Sequence, residues 1–435
     1  MRNFRKHAAP LLALLSSAIL VMTLFAMNGA RNNGLVELAD LQGERSALDG
    51  IAVEGMVRDG YHEMQFRLED SRLMKQTTVY DEPRYLNTYY APGMPLPVGD
   101  RFYEIYPSFS SDTDYEIQYY DNMNGIRGDF GGMALVDTSL VYHGTGDGYT
   151  YTNYQEKGLA FIGDRVFYAP PTTRDYTGTS GIYEIVRFSE RSTMQGADRE
   201  EPESRLIAKL DLEGNSRKEL KGLEILGLEA VDGKLALIAL VDGRIAVRSY
   251  NPDSGEMLGE AALDAFVNTT PGQGKQPEAE TFQENYEAFA DDDTGILTLK
   301  LTSTKSTTED TPLRIFSLSF RDGVTPVYEQ ALSQPAWKAE PSGEYSGFSF
   351  RGGKLYAILT LRSQPPDMTI LYDDLKMRSI LIEAYEAGQL IYRGELKTDV
   401  NDDVVQEQHL TNPSQFQYEP YRYRQVGELH IVSSE

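Results

Sequence analysis

The sequence predicts an all-β fold, built from repeated β-hairpins, that follows an N-terminal transmembrane helix. Three observations carry this prediction. A basic N-terminus precedes an apolar stretch without charge, and a tight polar turn recurs between alternating apolar runs along most of the chain. Residues 34–435 contain no second segment apolar enough to cross a bilayer and no clear linker, so one β-rich domain is expected to occupy them.

The N-terminus predicts a signal anchor. Residues 1–7 hold three Lys or Arg side chains and no acidic residue, and residues 8–27 hold no charged residue at all. This 20-residue stretch matches the roughly 20 residues that span a bilayer as a helix, and exceeds the roughly 7–15 of a cleaved signal. Because cationic flanks stay cytoplasmic, we expect residues 28–34 to form a short linker and residues 35–435 to lie outside the cell membrane. Secretion after cleavage is the alternative, since residues 26–30 include small side chains.

Composition excludes several classes of protein. The 435 residues include no cysteine, so disulfide frameworks, thiolate nucleophiles and Cys-containing zinc sites are ruled out. The formal net charge is −25, from 41 Lys and Arg against 66 Asp and Glu. Affinity for nucleic acid depends mainly on Lys and Arg, so no nucleic-acid partner is expected.

Three hairpins repeat one pattern, in which a small residue and a short apolar run precede a tight turn and a second apolar run. The turns are at residues 163–165, 232–234 and 352–354. The Asp-Gly and Gly-Gly pairs in the last two supply the positive φ that a two-residue hairpin turn requires. A second hairpin follows each of the better copies, so each unit is predicted to be a four-stranded meander.

In this repetition the chain resembles a β-propeller, an architecture of four-stranded sheets arranged radially. The resemblance covers most of residues 50–435 and implies about six to seven blades. No Trp-Asp dipeptide or other named repeat signature is present, so it is a resemblance to an architecture. Residues 35–68 are predicted to complete the last, short repeat and close the ring. The alternative fold is two β-sandwich domains divided near residues 196–204.

Motifs for catalysis or metal binding are absent from the sequence. Only four histidines follow the leader, without metal-binding spacing, and no serine lies in a G-x-S-x-G elbow. The run Asp291-Asp292-Asp293 lacks the alternation of a calcium loop and is interpreted as an acidic turn. No metal site and no cofactor are therefore predicted.

A tyrosine cluster is the most specific feature, because 13 of the 28 tyrosines lie between residues 80 and 154. Tyrosine is enriched in binding surfaces for proteins and sugars, although it is also a preferred strand residue. The candidate binding residues are Tyr85, Tyr89, Tyr90, Tyr115, Tyr119 and Tyr120. They predict a protein, peptide or glycan ligand.

The sequence is consistent with two functions. The favoured one is a membrane-anchored binding, sensing or protein-interaction module. The alternative is an exported hydrolase or lyase that uses carboxylates in the central funnel of a propeller, which requires an inward-facing Asp or Glu with a raised pKa.

Overall fold

A computed structural model describes most of the predicted β domain and a short part of the leader. The described residues are 16–24, 36–58, 62–70, 72–81, 96–107, 114–123, 126–143, 155–190, 201–215, 221–267, 281–336, 339, 341–363, 376–398 and 425–434. Residues 16–24 are helical, and large apolar side chains there, such as Leu20 and Met22, are 63 % exposed. Among the described residues no helix is both long and apolar enough to cross a membrane. The predicted span 8–27 and linker 28–34 extend outside the described residues, so the anchor stays a prediction.

Nearly all of the remaining described residues belong to β-strands. In chain order the strands are β1 (Val36–Gly43), β2 (Ile51–Arg58), β3 (His62–Glu69), β4 (Arg72–Val79), β5 (Leu96–Val98), β6 (Arg101–Pro107), β7 (Tyr115–Met123), β8 (Ile126–Val136), β9 (Ser139–Tyr142), β10 (Leu159–Ile162), β11 (Arg165–Tyr168), β12 (Tyr176–Arg187), β13 (Ser189–Glu190), β14 (Glu203–Asp211), β15 (Leu223–Val231), β16 (Lys234–Val241), β17 (Arg244–Tyr250), β18 (Met257–Val267), β19 (Thr281–Asp291), β20 (Ile296–Ser303), β21 (Asp310–Ser319), β22 (Thr325–Pro335), β23 (Ser342–Arg351), β24 (Lys354–Ser363), β25 (Lys376–Glu386), β26 (Gln389–Thr398) and β27 (Gln425–Ser433). Short 3₁₀ helices occupy Arg45–Leu48 and Gln155–Gly158.

The described strands pair into six antiparallel meanders, named sheets I to VI here. Sheet I has the order β27-β2-β3-β4, and sheet II has the order β5-β6-β7-β8 with β13 beside β8. Sheet III contains β10, β11, β12 and β14, with β9 also paired to β12. Sheets IV (β15–β18) and V (β19–β22) are joined by a short parallel pairing of β18 with β19, and sheet VI contains β23–β26 with β1 beside β26.

Consecutive sheets pack face to face through apolar clusters. Five such clusters join sheet II to III, III to IV, IV to V, V to VI and VI to I. The first strands of sheets III, IV, V, VI and I contact one another in turn, so they surround a common axis. This is the propeller-like architecture that the repeated hairpins predict.

The apolar core is continuous across the boundary of the alternative fold. Tyr176 precedes residues 196–204, whereas Leu210 and Leu228 follow them. All three side chains belong to one apolar cluster. Two separate sandwiches would place a break in the core there. The prediction of two β-sandwich domains is therefore wrong for the described residues.

The two ends of the domain share sheet I. Strand β27 pairs with β2, from Ile51 opposite Ser433 to Arg58 opposite Gln425, as predicted for the N-terminal segment. Strand β1 instead extends the preceding sheet by pairing with β26. Within β27, Gly427 lies opposite Met56, next to a register shift in the pairing with β2.

The predicted hairpin turns are confirmed by their backbone angles. Asp232 and Gly233 have φ of 52° and 66°, and Gly352 and Gly353 have φ of 57° and 81°. Both central residues of each turn thus have positive φ, as a two-residue hairpin of this type requires.

Candidate functional site

The described members of the predicted tyrosine site lie in β7. Tyr115 is 1 % exposed and packs edge-on against Tyr168, with ring centroids 5.7 Å apart. Tyr120 is also buried, whereas Tyr119 is only partly buried. Packing in the sheet thus accounts for Tyr115 and Tyr120. Burial also raises the pKa of Tyr115, as expected for a phenol removed from water.

The other three tyrosines, Tyr85, Tyr89 and Tyr90, lie outside the described residues. Their segment connects β4 of sheet I to β5 of sheet II. A binding role for the six tyrosines stays a prediction.

Sheet I has one apolar and one polar face. Val53, Val57 and Phe66 point to the apolar face and pack against sheet VI. On the opposite face, strand pairing aligns Glu54 with Arg67. This opposite face is called the polar face below.

A cavity of about 510 Å³ lies against the polar face. Its lining residues are Glu54, Gly55, Met56, Gln65, Phe66, Arg67, Met74, Lys75, Gln76 and His430. Three cross-strand pairings bring these distant residues together: Glu54 with His430, Met56 with Gln65, and Gln65 with Gln76. Cavities that hold small ligands usually measure about 300–1,000 Å³, so this one has a suitable size.

Arg67 is held in a fixed position at the centre of the polar face. Its Nε lies 2.9 Å from Glu69 Oε2, Nη1 donates to Glu54, and Nη2 donates to the carbonyl of Ser433 at 2.9 Å. Hydrogen bonds from the guanidinium to Glu69 and Glu54 raise the pKa of Arg67 further above its ordinary value. The Arg67 side chain therefore ties β2, β3 and β27 together and presents a permanent charge beside the cavity.

The cavity combines charged, amide and thioether groups. Gln65 and Gln76 are exposed, and each amide offers two donors and an acceptor. Met74 is 51 % exposed, and its unbranched thioether adapts to ligands of different shape. The arrangement suits recognition of a polar ligand with some apolar surface.

A second polar cluster lies at the axis, where β15 and β19 meet. Tyr286 Oη donates to Glu229 Oε1 at 2.8 Å, and Lys157 Nζ donates to the carbonyl of Tyr286 and lies 4.5 Å from its ring centroid. Burial raises the pKa of Glu229 to about 7, although the Tyr286 hydroxyl and the Lys157 ammonium oppose the shift. Burial lowers the pKa of Lys157. The axis thus holds a carboxyl that exchanges protons near neutral pH.

Buried charges continue from this cluster into sheet VI. Lys300 is 1 % exposed, and its Nζ lies 2.6 Å from Glu287 Oε1 and donates to the carbonyl of Tyr345 at 2.8 Å. Tyr345 Oη in turn donates to Glu383 Oε2 at 2.7 Å. A lysine within an apolar strand carries no sequence signal for such a network, so sequence analysis missed it.

The acidic turn after β19 links neighbouring sheets. Asp291 pairs with Arg351 at 2.7 Å, Asp292 accepts the backbone N–H of Asp232 at 2.8 Å, and Asp293 accepts the Ser433 hydroxyl at 2.7 Å. Each carboxylate thus has a protein partner in another sheet. Within the described ranges, no group of three or more His, Asp or Glu residues is arranged to hold a metal ion.

Comparisons with known proteins concern the fold alone. No protein-family model and no curated protein matches the chain. Similar solved structures include a putative 6-phosphogluconolactonase from Bacteroides uniformis, at 12 % identity and TM-score 0.27, covering 80 % of this chain and 99 % of that one. The WD40 domain of Toxoplasma gondii coronin is similar at 10 % identity and TM-score 0.30, covering 84 % and 86 % of the two chains. The architecture is propeller-like. That assignment rests on the sheet topology described above.

Proposed function

We propose that the protein is a membrane-anchored extracytoplasmic binding module whose ligand occupies the cavity on the polar face of sheet I. The observation that carries the proposal is the cavity of about 510 Å³ with its fixed Arg67 and its two exposed amides, Gln65 and Gln76. A concave site with a few oriented polar groups is the usual form of a ligand site.

The N-terminal segment supports the anchored location. Residues 8–27 carry no charge, and the helical part at 16–24 exposes its apolar side chains, including Leu24 at 62 %. Contiguous apolar surface of this kind calls for burial elsewhere, and a bilayer provides it. Carbonate extraction of cell membranes followed by N-terminal sequencing separates an uncleaved anchor from the secreted alternative.

A thermal-shift screen of the full chain in detergent micelles tests the binding function. The probes are single amino acids, short peptides and oligosaccharides, because these match the amide-rich and charged lining. A ligand raises the melting temperature of the folded state. We expect Gln65→Ala and Gln76→Ala to reduce that rise, while Gln389→Ala, an exposed glutamine on β26, leaves it unchanged. An equal rise in all variants, or no rise with any probe, would contradict the proposed site.

The second candidate function is carboxylate-dependent hydrolysis or elimination at the axis. It is favoured by Glu229, whose raised pKa of about 7 suits a general acid or base at neutral pH. Turnover of chromogenic esters and glycosides by the wild-type chain, lost in Glu229→Gln, would support it. Equal turnover by both chains would show that Glu229 takes no part in such a reaction.

A further inference from the structure

We propose that strand β4, the outer edge of sheet I, binds an extended peptide with acidic side chains as a fifth strand. The inference rests on the proposed function, because it names the ligand class for the same site. Side chains of the added strand would lie beside the cavity that Met74 and Gln76 of β4 help to line.

Two other sheets of this molecule are already extended in this way. Strand β1 adds to sheet VI beside β26, and β13 adds to sheet II beside β8, each coming from a different part of the chain. Among the described residues sheet I has four strands, and β4 pairs only with β3. Within the described ranges, its outer edge therefore presents backbone N–H and C=O groups that a further strand can pair with.

Strand β4 is also the most regular of the described outer edges. Its pairing with β3 runs without a register shift from Glu69 opposite Arg72 to His62 opposite Val79. It contains neither proline nor glycine. By contrast, β22 contains Pro326 and Pro335, which lack a backbone donor, and β18 pairs with β17 across two register shifts. An added strand thus meets no backbone obstacle along β4.

The charge on β4 selects an acidic partner. Arg72 and Lys75 are its charged residues and lie on opposite faces of the strand, being three residues apart, and β4 holds no Asp or Glu, although the chain as a whole has a charge of −25. Opposite charges on directly paired strands stabilise the pairing. Alternate side chains of an added strand would face Met74 and Gln76, where an adaptable thioether and an amide accept varied partners.

Basic edge residues also have a protective role, because they discourage edge-to-edge aggregation. The two roles differ in what they exclude. A purely protective edge rejects every added strand, whereas the proposed site binds an acidic strand and rejects a basic one.

Peptide binding to the full chain in detergent micelles tests the proposal. The probe is a fluorescein-labelled peptide with Glu at every third position and Val between, so that one Glu lies opposite each cation. It is compared with the same peptide carrying Lys in place of Glu, and with the Glu peptide N-methylated at alternate residues. We expect the acidic peptide to bind at least about tenfold more tightly than either, because Arg72 and Lys75 repel the basic peptide and N-methylation removes backbone hydrogen bonds. Hydrogen exchange should show protection of the amides in residues 72–79.

Matched variants locate the binding edge. Arg72→Glu and Lys75→Glu should each weaken the acidic peptide several-fold, whereas Lys209→Glu on the outer strand β14 should not. Equal binding of the N-methylated peptide, or protection confined to other strands, would overturn strand addition even if a variant failed to fold.

The two experiments distinguish the proposed binding function from strand addition at β4. If cavity ligands raise the melting temperature through Gln65 and Gln76 but no acidic peptide protects residues 72–79, the binding function stands and strand addition is refuted. If neither the thermal-shift screen nor the peptide gives a signal, both are refuted.

Discussion

The hydroxyl of Tyr286 donates a hydrogen bond to Glu229 Oε1 at 2.8 Å and thereby joins the first strands of sheets IV and V. Lys157, from the 3₁₀ helix before sheet III, donates to the backbone of the same tyrosine. Three consecutive sheets thus meet at one polar contact beside the axis. Burial raises the pKa of Glu229 to about 7, so the charge of this carboxyl changes near neutral pH.

Stability should fall as pH rises from about 4.5 to 7, because folded Glu229 keeps its proton over this range while the unfolded chain loses it. The expected loss is as much as about 3 kcal/mol, from 1.36 kcal/mol per pKa unit. Urea denaturation at pH 5 and pH 7.5 measures it. Glu229→Gln should flatten the dependence, whereas Glu213→Gln, an exposed control, should retain it.

Gly227→Ala should destabilise the axial contact. An added Cβ would lie 2.1 Å from Tyr286 Oη and 2.7 Å from the carbonyl of Lys157, so one of these groups must move. Overpacking of this kind typically costs about 1–3 kcal/mol. Gly214→Ala is the control, because nothing lies within 4 Å of its added Cβ. Equal melting temperatures for the two variants would show that the contact is not tightly packed.

Phe66→Ala should destabilise the packing of sheet I against sheet VI. The ring is 3 % exposed and lies in the apolar cluster that the two sheets share. Truncation of a buried phenylalanine costs about 3–5 kcal/mol. Met74→Ala, on the polar face of the same sheet, should cost far less because Met74 is 51 % exposed. Chemical denaturation of both variants measures the free energy of unfolding. Similar losses in the two variants would argue against a core shared by sheets I and VI.

Arg393→Met should destabilise sheet VI by leaving Glu383 with fewer partners. Glu383 is fully buried and receives Arg393 Nε at 2.7 Å as well as the hydroxyls of Tyr345 and Tyr385. Loss of a buried partner costs about 3–5 kcal/mol, and the partly exposed guanidinium lowers our expectation to about 2 kcal/mol. Adding Glu383→Gln should recover part of the loss. A double mutant as unstable as the sum of its parts would refute this coupling.

The sequence predicted the features that local chemistry controls. The Asp232-Gly233 and Gly352-Gly353 turns follow from the positive φ that these residues tolerate, and strand alternation predicted that the N-terminal segment would meet the C-terminal strand. The addition of β1 to sheet VI was not predicted, because a choice between two sheet edges depends on contacts distant in sequence.

The candidate site could not be predicted from the sequence, because its residues come together only through the pairing register of the strands. Glu54 and Arg67 are 13 residues apart, and His430 reaches them only through the pairing of β27 with β2. The tyrosine pattern could not separate packing from binding, because the same ring serves both purposes. Tyr115 is consequently part of the core, although it was a candidate binding residue.

Hydrogen exchange with and without a compound that raises the melting temperature locates the ligand site most directly. Binding on the polar face of sheet I predicts protection in residues 62–69 and 72–79, with little change in residues 223–231 and 281–291 at the axis. Protection at the axis and none in sheet I would contradict the proposed site and favour chemistry at Glu229.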